Sequence, residues 1–148
     1  MDPAEFGTYL EQTTREYAED NVRAGRWSAE EALGESQKQL QSLLPDGLAT
    51  PHHSFFTILG GVSEEKVGLV WLAIEPRGAF VYDLRVFEAF RRRGHAAEAL
   101  RLIEGVARER GAKKISLDVF ADNQGARKLY SKLGYAETNV MMSKPLPP

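Results

Sequence analysis

The first third of the chain has apolar residues spaced as in amphipathic helices. Apolar side chains recur at helical intervals over residues 6–22, and Asp2 followed by proline is a typical helix start. A capping box at Ser28–Glu31 opens a second helical stripe, which ends before Pro45. We therefore predict two helices at the front of the chain.

The middle of the chain alternates instead between short apolar runs and turns. Strand-like runs cover Ser54–Leu59, Val67–Ile74 and Ala79–Phe87, and turns that contain glycine or proline separate them. Two hairpin-like connections in succession predict an antiparallel meander of three strands.

Beyond these strands, helical and strand-like patterns alternate. A helix is predicted from His95 to Arg110, a strand over Lys114–Phe120, another helix to Leu133 and a closing strand over Tyr135–Met142. Because a helix separates the third and fourth strands, this pair should be parallel, with a right-handed crossover. We expect the 148 residues to form one α+β domain, with a mixed, mostly antiparallel sheet between helices.

A basic loop with a glycine joins the third strand to the helix that follows. Arg91, Arg92 and Arg93 precede Gly94, and the helix begins directly after it. The first N–H groups of a helix have no partner inside it, and the helix dipole adds partial positive charge at this end. Gly94 has no Cβ, so the backbone can approach an anion closely. Residues 81–97 therefore predict a site for a phosphorylated cofactor.

Composition restricts the remaining function classes. The formal net charge of −2 argues against general binding of nucleic acid or of an anionic membrane. The absence of cysteine excludes thiolate nucleophiles and Cys-ligated metals. The adjacent His52 and His53 point in different directions and make a poor metal pair, so we expect no metal. No apolar run reaches membrane-spanning length and no signal-peptide pattern is present, so we expect a cytoplasmic protein.

Two motifs resemble the signatures of the GCN5-related N-acetyltransferase (GNAT) superfamily. Arg91-x-x-Gly94-x-Ala96 is similar to the family signature Arg/Gln-x-x-Gly-x-Gly/Ala and follows a strand, as in that family. The stretch Asn123–Tyr135 is similar to a second signature, in which Asn and Tyr lie on the helix after the next strand. The motifs occur in the family order, separated by one helix and one strand, and the resemblance covers residues 67–146. The front of the chain resembles a bacterial subgroup of the family.

The resemblance implies a three-layer α/β/α fold in which two parallel strands, here Asp83–Phe87 and Lys114–Phe120, splay apart. It implies that residues 67–146 form an acetyl-CoA-binding core and that residues 1–47 help to shape the acceptor site. The residues implied to bind the cofactor are Leu84, Arg85 and Val86 on the strand, Arg91, Arg92, Arg93, Gly94, His95, Ala96 and Ala97 in the loop and first helical turn, and Asn123 and Tyr130 on the last helix.

The resemblance also implies catalytic roles. Family members use the tyrosine at the position of Tyr130 as a general acid that protonates the departing thiolate. Tyr130 lies seven residues after Asn123, which places both on one helix face. The alternative for Asn123 is a helix cap, and the alternative for Tyr130 is a place in the core.

An amine acceptor must lose a proton before it can attack. Asp83 and Glu75 are the carboxylates expected nearest the centre of the sheet, and His53 is a further candidate for the acceptor side. We predict Asp83, with Tyr130, as a catalytic residue, and His53, Glu75 and Asp83 as substrate-side residues. The alternative for Asp83 is simple pairing with an arginine.

Two functions follow as hypotheses. The first is an acyl-CoA-dependent N-acetyltransferase in which a primary amine attacks acetyl-CoA directly in a ternary complex. The second is a CoA-binding sensor or regulatory module without catalysis. The acceptor stays open among a small molecule, a peptide and a protein lysine. Family members usually have a strand before the first helix, and an uncovered sheet edge here would allow a homodimer.

Overall fold

The structure, a computed structural model, describes residues 1–148 and contains four helices and four strands. Two short 3₁₀ turns, Gly47–Ala49 and Glu88–Phe90, lie before the first strand and after the third. The order of the elements is α1 (Pro3–Arg23), α2 (Ala32–Leu43), β1 (His53–Gly60), β2 (Glu65–Glu75), β3 (Gly78–Val86), α3 (His95–Glu109), β4 (Ile115–Leu117) and α4 (Gln124–Lys132).

Reciprocal capping contacts lie at the starts of the first two helices. The Asp2 N–H donates to Glu5 Oε2 at 2.9 Å, and the Glu5 N–H donates to Asp2 Oδ1 at 2.8 Å. The Ser28 and Glu31 pair makes the same exchange at 3.0 Å and 3.3 Å. Each exchange satisfies two backbone donors. The predicted start of α1 is confirmed, whereas α2 begins at Ala32, directly after the turn that holds the Ser28 and Glu31 pair.

The four strands form one mixed sheet in the order β1-β2-β3-β4. The β1–β2 and β2–β3 pairs are antiparallel, whereas β3 and β4 are parallel. The predicted meander and the predicted parallel pair are therefore confirmed, as is the α+β class with a mostly antiparallel sheet.

The predicted closing strand over Tyr135–Met142 is wrong, because residues 135–148 contain neither helix nor strand. Val140, Met141 and Met142 are 63%, 73% and 89% exposed. A strand gains stability from a paired edge and a buried face, and this segment has neither. The strand predicted over Lys114–Phe120 is also shorter, since β4 covers only three residues.

The chain divides into two compact units. The first comprises Met1–Tyr9 and Ser42–Asp118, and the second comprises Leu10–Gln41 and Val119–Pro148. The first unit holds the whole sheet and α3, and the second holds α4 and most of α1 and α2. The expectation of one domain stays a prediction. None of the four helices combines the length and the apolar character that a membrane span requires.

The core of the first unit lies between the sheet and α3. Ala99, Ile103 and Ala107 of α3 pack in one buried cluster with strand residues such as Leu72 and Val81. Side chains of alternate strand residues point to the opposite face, where aromatic rings dominate. The second unit has its own internal contacts, including a hydrogen bond at 2.7 Å from the buried Ser36 hydroxyl of α2 to the Thr14 carbonyl of α1.

Gly68 on β2 shows how closely the backbones of β2 and β3 approach each other. An ideal Cβ at this position would lie 2.1 Å from the Arg85 carbonyl oxygen, which is backbone and cannot rotate away. We expect Gly68→Ala to lower the free energy of unfolding by about 1–3 kcal/mol, because the strands must move apart. Chemical denaturation measures the loss, and Gly105→Ala, whose added Cβ meets no atom within 4 Å, is the matched control.

Candidate functional site

The parallel pairing of β3 and β4 stops in the middle of β3. Only three residue pairs are formed, Ala79 with Ile115, Phe80 with Ser116 and Val81 with Leu117. β3 continues to Val86, whereas β4 ends at Leu117. Residues 82–86 therefore have a strand partner on the β2 side only, and one edge of this segment is open.

A one-residue bulge in β3 lies where the pairing stops. Trp71 of β2 pairs with Asp83 and Leu72 pairs with Val81, so Tyr82 is the extra residue. The bulge changes which backbone groups face which neighbour. The Ala79 N–H donates towards β4, to the Lys114 carbonyl at 2.8 Å.

Beyond the bulge, the N–H groups that point towards β2 belong to the odd-numbered residues, whereas before it the N–H of the odd-numbered Ala79 points towards β4. The Phe87 N–H donates towards β2, to the Val67 carbonyl at 2.8 Å. Because the direction of N–H and C=O groups alternates along a strand, the N–H groups of Leu84 and Val86 point away from β2. Leu84 and Val86, two of the residues predicted to bind the cofactor, therefore direct their N–H groups to the open edge.

The loop after β3 leads to an uncapped helix start. Gly94 is the residue before α3 and has φ 82°, a left-handed conformation in which glycine carries no steric cost. No side chain caps α3, and the first intrahelical bond runs from the Glu98 N–H to the Gly94 carbonyl at 3.1 Å. The N–H groups of His95, Ala96 and Ala97 thus have no partner and favour an anion there.

The three loop arginines have different surroundings. Arg91 Nε donates to the Val86 carbonyl at 3.0 Å, which ties the loop to the end of β3. The Arg93 guanidinium lies 5.9 Å from the centre of the Phe90 ring. Arg92 has φ 64° and an exposed side chain. Arg92 and Arg93 are the more available cations for a phosphate, since the Arg91 side chain already has a backbone partner.

Asp83 belongs to a compact polar cluster. The Tyr9 hydroxyl donates to Asp83 Oδ2 at 2.8 Å, and the Arg85 guanidinium contacts the same oxygen at 3.2 Å. The Asp83 and Arg85 side chains are only 20% and 18% exposed, and Arg85 also lies over the Tyr9 ring at 5.7 Å. The arginine partner considered for Asp83 is therefore present, and it balances the charge of the carboxylate.

His53 and Glu75 belong to a second cluster, on the aromatic face of the sheet. The Trp71 indole N–H donates to His53 Nδ1 at 3.0 Å, and the Tyr82 hydroxyl donates to Glu75 Oε1 at 2.7 Å. The Tyr82 ring stacks on Trp71 at 4.7 Å and lies 5.7 Å from the His53 ring. Burial lowers the pKa of His53, against an opposing effect of the Glu75 charge. Burial and the bond to Glu75 raise the pKa of Tyr82, so the phenol stays protonated.

Asn123 and Tyr130 lie in the second unit, on and beside α4. Asn123 Oδ1 accepts from the Ala126 N–H at 3.2 Å, so the capping alternative for this side chain is present. Tyr130 is half-buried, and its ring lies 5.9 Å from the Tyr135 ring. The Arg127 guanidinium donates to Glu137 Oε1 at 2.8 Å and so holds the segment that follows α4.

Sequence reasoning missed three residues that organise the two clusters. They are Tyr9, Trp71 and Tyr82, and the sequence analysis assigns none of them a role in the site. The alternation of Phe80 and Tyr82 beside the carboxylate of Asp83 was the available signal for an aromatic face with polar groups. The bulge at Tyr82 leaves no mark in the sequence. No group of three or more His, Asp or Glu side chains that could hold a metal ion occurs in the structure.

Comparison with known proteins agrees with this geometry. The model of the acetyltransferase (GNAT) family matches residues 10–135. The uncharacterized N-acetyltransferase YycN of Bacillus subtilis is 43% identical, over 99% of this chain and 96% of that protein. Its crystal structure superposes with a TM-score of 0.92 and covers 100% of this chain and 96% of its own. The uncharacterized N-acetyltransferase YdgE of the same organism is 35% identical, over 99% of this chain and 95% of that protein.

A more distant structure shares the fold alone. The aminoglycoside N-acetyltransferase AAC(6')-Iy, solved in complex with CoA, is 20% identical with a TM-score of 0.57, over 77% of this chain and 92% of that one. The open edge of β3, the loop with Gly94 and the uncapped start of α3 occur in the order that the family signatures predict. The chain belongs to the GNAT family of acetyltransferases.

Proposed function

We propose that this acetyltransferase moves an acetyl group from acetyl-CoA to a primary amine, by direct attack in a ternary complex. The observation that carries this proposal is the open edge of β3 at residues 82–86, beside a basic loop and an uncapped helix start. When bound, acetyl-CoA supplies the acetyl group as a thioester. With no cysteine in the chain, no thiol is available to carry the acetyl group.

The loop and the start of α3 bind the phosphates in this proposal. The free N–H groups of His95, Ala96 and Ala97 are suited to a pyrophosphate, because they add hydrogen bonds to the partial positive charge of the helix end. Arg92 and Arg93 add full positive charges, and Arg91 holds the loop against Val86.

The open edge of β3 binds and polarises the thioester end of the donor. Leu84 and Val86 direct their N–H groups away from β2, where they can donate to the donor's carbonyl oxygens. Fixed donors aimed at an oxygen that becomes negative in the transition state are usually a large catalytic contribution. The Arg91 side chain occupies the Val86 carbonyl but leaves the Val86 N–H available. We assign the main polarising role to the Leu84 N–H because Leu84 is nearer the bulge.

A hydrogen bond to the departing sulfur and removal of a proton from the amine complete the reaction. Tyr130 is proposed to donate a hydrogen bond to the departing sulfur. The reference pKa is about 8.5 for a thiol and about 10 for a phenol, so the thiolate is the weaker base. A hydrogen bond to the sulfur therefore stabilises it without full proton transfer. Two carboxylates are candidates to take the proton that leaves the amine. Asp83 lies next to Leu84 on β3, but Arg85 balances its charge. No cation contacts Glu75, which lies further along the sheet, opposite Gly78.

A thiol-release assay with acetyl-CoA across a panel of amines, beside a direct titration of CoA binding, tests the proposal. We expect CoA binding together with turnover on one class of amine. Tight CoA binding without turnover on any amine would favour the sensor hypothesis over an enzyme. Absence of CoA binding would overturn the proposal as a whole.

A further inference from the structure

The hydrogen bond from Trp71 fixes the protonation state and the tautomer of the His53 ring. An indole N–H can only donate, so the bond of 3.0 Å from Trp71 requires a bare lone pair on His53 Nδ1. A neutral imidazole has one N–H, which must then lie on Nε2. Trp71 is only 2% exposed, so protonation of Nδ1 would leave a buried indole N–H without an acceptor. His53 is therefore held as a neutral ring with a donor at Nε2, and this nitrogen has no partner in the protein.

Glu75 presents the opposite chemistry at the same aromatic face. Its Oε1 accepts the Tyr82 hydroxyl at 2.7 Å, while Oε2 has no hydrogen-bond partner. The carboxylate is half-buried at the end of β2 and has no ion pair with a lysine or an arginine. A fixed carboxylate oxygen without a cation favours an ammonium group, and charge-assisted bonds are the stronger ones.

The Tyr82 ring joins the two groups. It lies 5.7 Å from the His53 ring, holds Glu75 through its hydroxyl and contacts Phe80 at 4.7 Å between ring centres. Aromatic faces attract cations and exclude competing water from the carboxylate. A hydrogen-bond donor, a carboxylate acceptor and an aromatic surface are therefore linked through Tyr82 on one face of the sheet.

We propose that His53 and Glu75 form a two-point recognition site for the acceptor, which selects a primary ammonium group with a carbonyl or hydroxyl oxygen on a neighbouring carbon. Glu75 Oε2 binds the ammonium group, and His53 Nε2–H donates to the oxygen. This assignment rests on the proposed acetyl transfer to an amine, and it narrows the acceptor to amines such as an amino amide or an amino alcohol. Plain alkylamines lack the second contact.

Equilibrium titration of two probe amines tests the site independently of turnover. Glycinamide carries the oxygen and propylamine does not. The chain has only two tryptophans, so the indole N–H signal of Trp71 can be followed by NMR as each amine is added, with and without CoA. We expect glycinamide to bind about fivefold to tenfold more tightly than propylamine, as one neutral hydrogen bond contributes.

Variants separate the two contacts. His53→Phe keeps the ring but removes the donor, and should abolish the preference for glycinamide, whereas His53→Gln keeps an N–H donor and should retain part of it. Glu75→Gln keeps an acceptor for Tyr82 and should weaken both amines about tenfold or more. His52→Asn, beside His53, and Glu65→Gln, at the opposite end of β2 from Glu75, are controls at exposed positions and should bind like the wild type. Thermal unfolding of each variant checks that it is folded.

Three results would overturn the site. They are unchanged preference in His53→Phe, unchanged affinity in Glu75→Gln, or a His53 ring whose ¹⁵N signals show a proton on Nδ1. Thiol release measured on the same samples separates this failure from failure of the proposed function. If the wild type acetylates amines but does not prefer glycinamide, the recognition site is rejected and the proposed acetyl transfer is retained. The expected binding pattern without turnover would reject the transfer reaction and support the site.

Discussion

Replacement of Leu84 by proline should lower kcat about 100- to 1000-fold, the usual loss when one donor to a developing oxyanion is removed. Proline has no N–H, and the N–H of Leu84 points to the open edge of β3. Proline is tolerated in strands where the N–H makes no ladder bond, so the β2–β3 pairing should survive. Steady-state kinetics of thiol release, with acetyl-CoA varied at a fixed amine concentration, measures the loss.

Leu84→Ala is the matched control for this variant. Leu84 packs partly against the core cluster, so both variants lose the same side-chain contacts, while only proline removes the backbone donor. We expect the alanine variant to keep most of kcat once differences in folded fraction are corrected by denaturation. Equal kcat for the two variants would show that the Leu84 N–H does not polarise the thioester carbonyl. The Val86 N–H would then be the remaining candidate.

The local features of this fold could be predicted from the sequence because their causes are local. The Asp2 and Ser28 helix starts each depend on two residues three apart, and both capping exchanges are present. The uncapped start of α3 also follows from its sequence, since Gly94 has no side chain to cap it. The parallel β3–β4 pair could be predicted from the helix between the two strands.

The contacts between distant residues could not be predicted in the same way. Tyr9 reaches Asp83 across 74 positions and Trp71 reaches His53 across 18, and neither spacing has a sequence signal. The bulge at Tyr82 decides which backbone groups face the open edge, yet tyrosine is common in regular strands. The closing strand was wrong for a related reason. Residues 135–142 have an apolar content that suits a strand, but pairing depends on a partner edge that composition does not reveal.

Tyr130→Phe should lower kcat at least about tenfold while leaving the affinity for CoA unchanged, since general acids contribute about 100-fold or more. The substitution removes only the hydroxyl, so the packing of the half-buried ring on α4 is retained. A group that acts on the departing sulfur affects the transition state, and its loss should appear in kcat rather than in ground-state binding. Thiol-release kinetics and a CoA titration on the same preparation give the two quantities.

Tyr135→Phe controls for removal of a hydroxyl in the same surroundings, because its ring lies 5.9 Å from that of Tyr130. We expect this variant to keep the wild-type kcat. If Tyr130→Phe also keeps it, the acid role belongs to another group or to solvent. The comparison also bears on the sensor hypothesis. A protein that only binds CoA has no turnover for the hydroxyl of Tyr130 to support, so a loss confined to kcat at this one tyrosine can arise only if the chain is an enzyme.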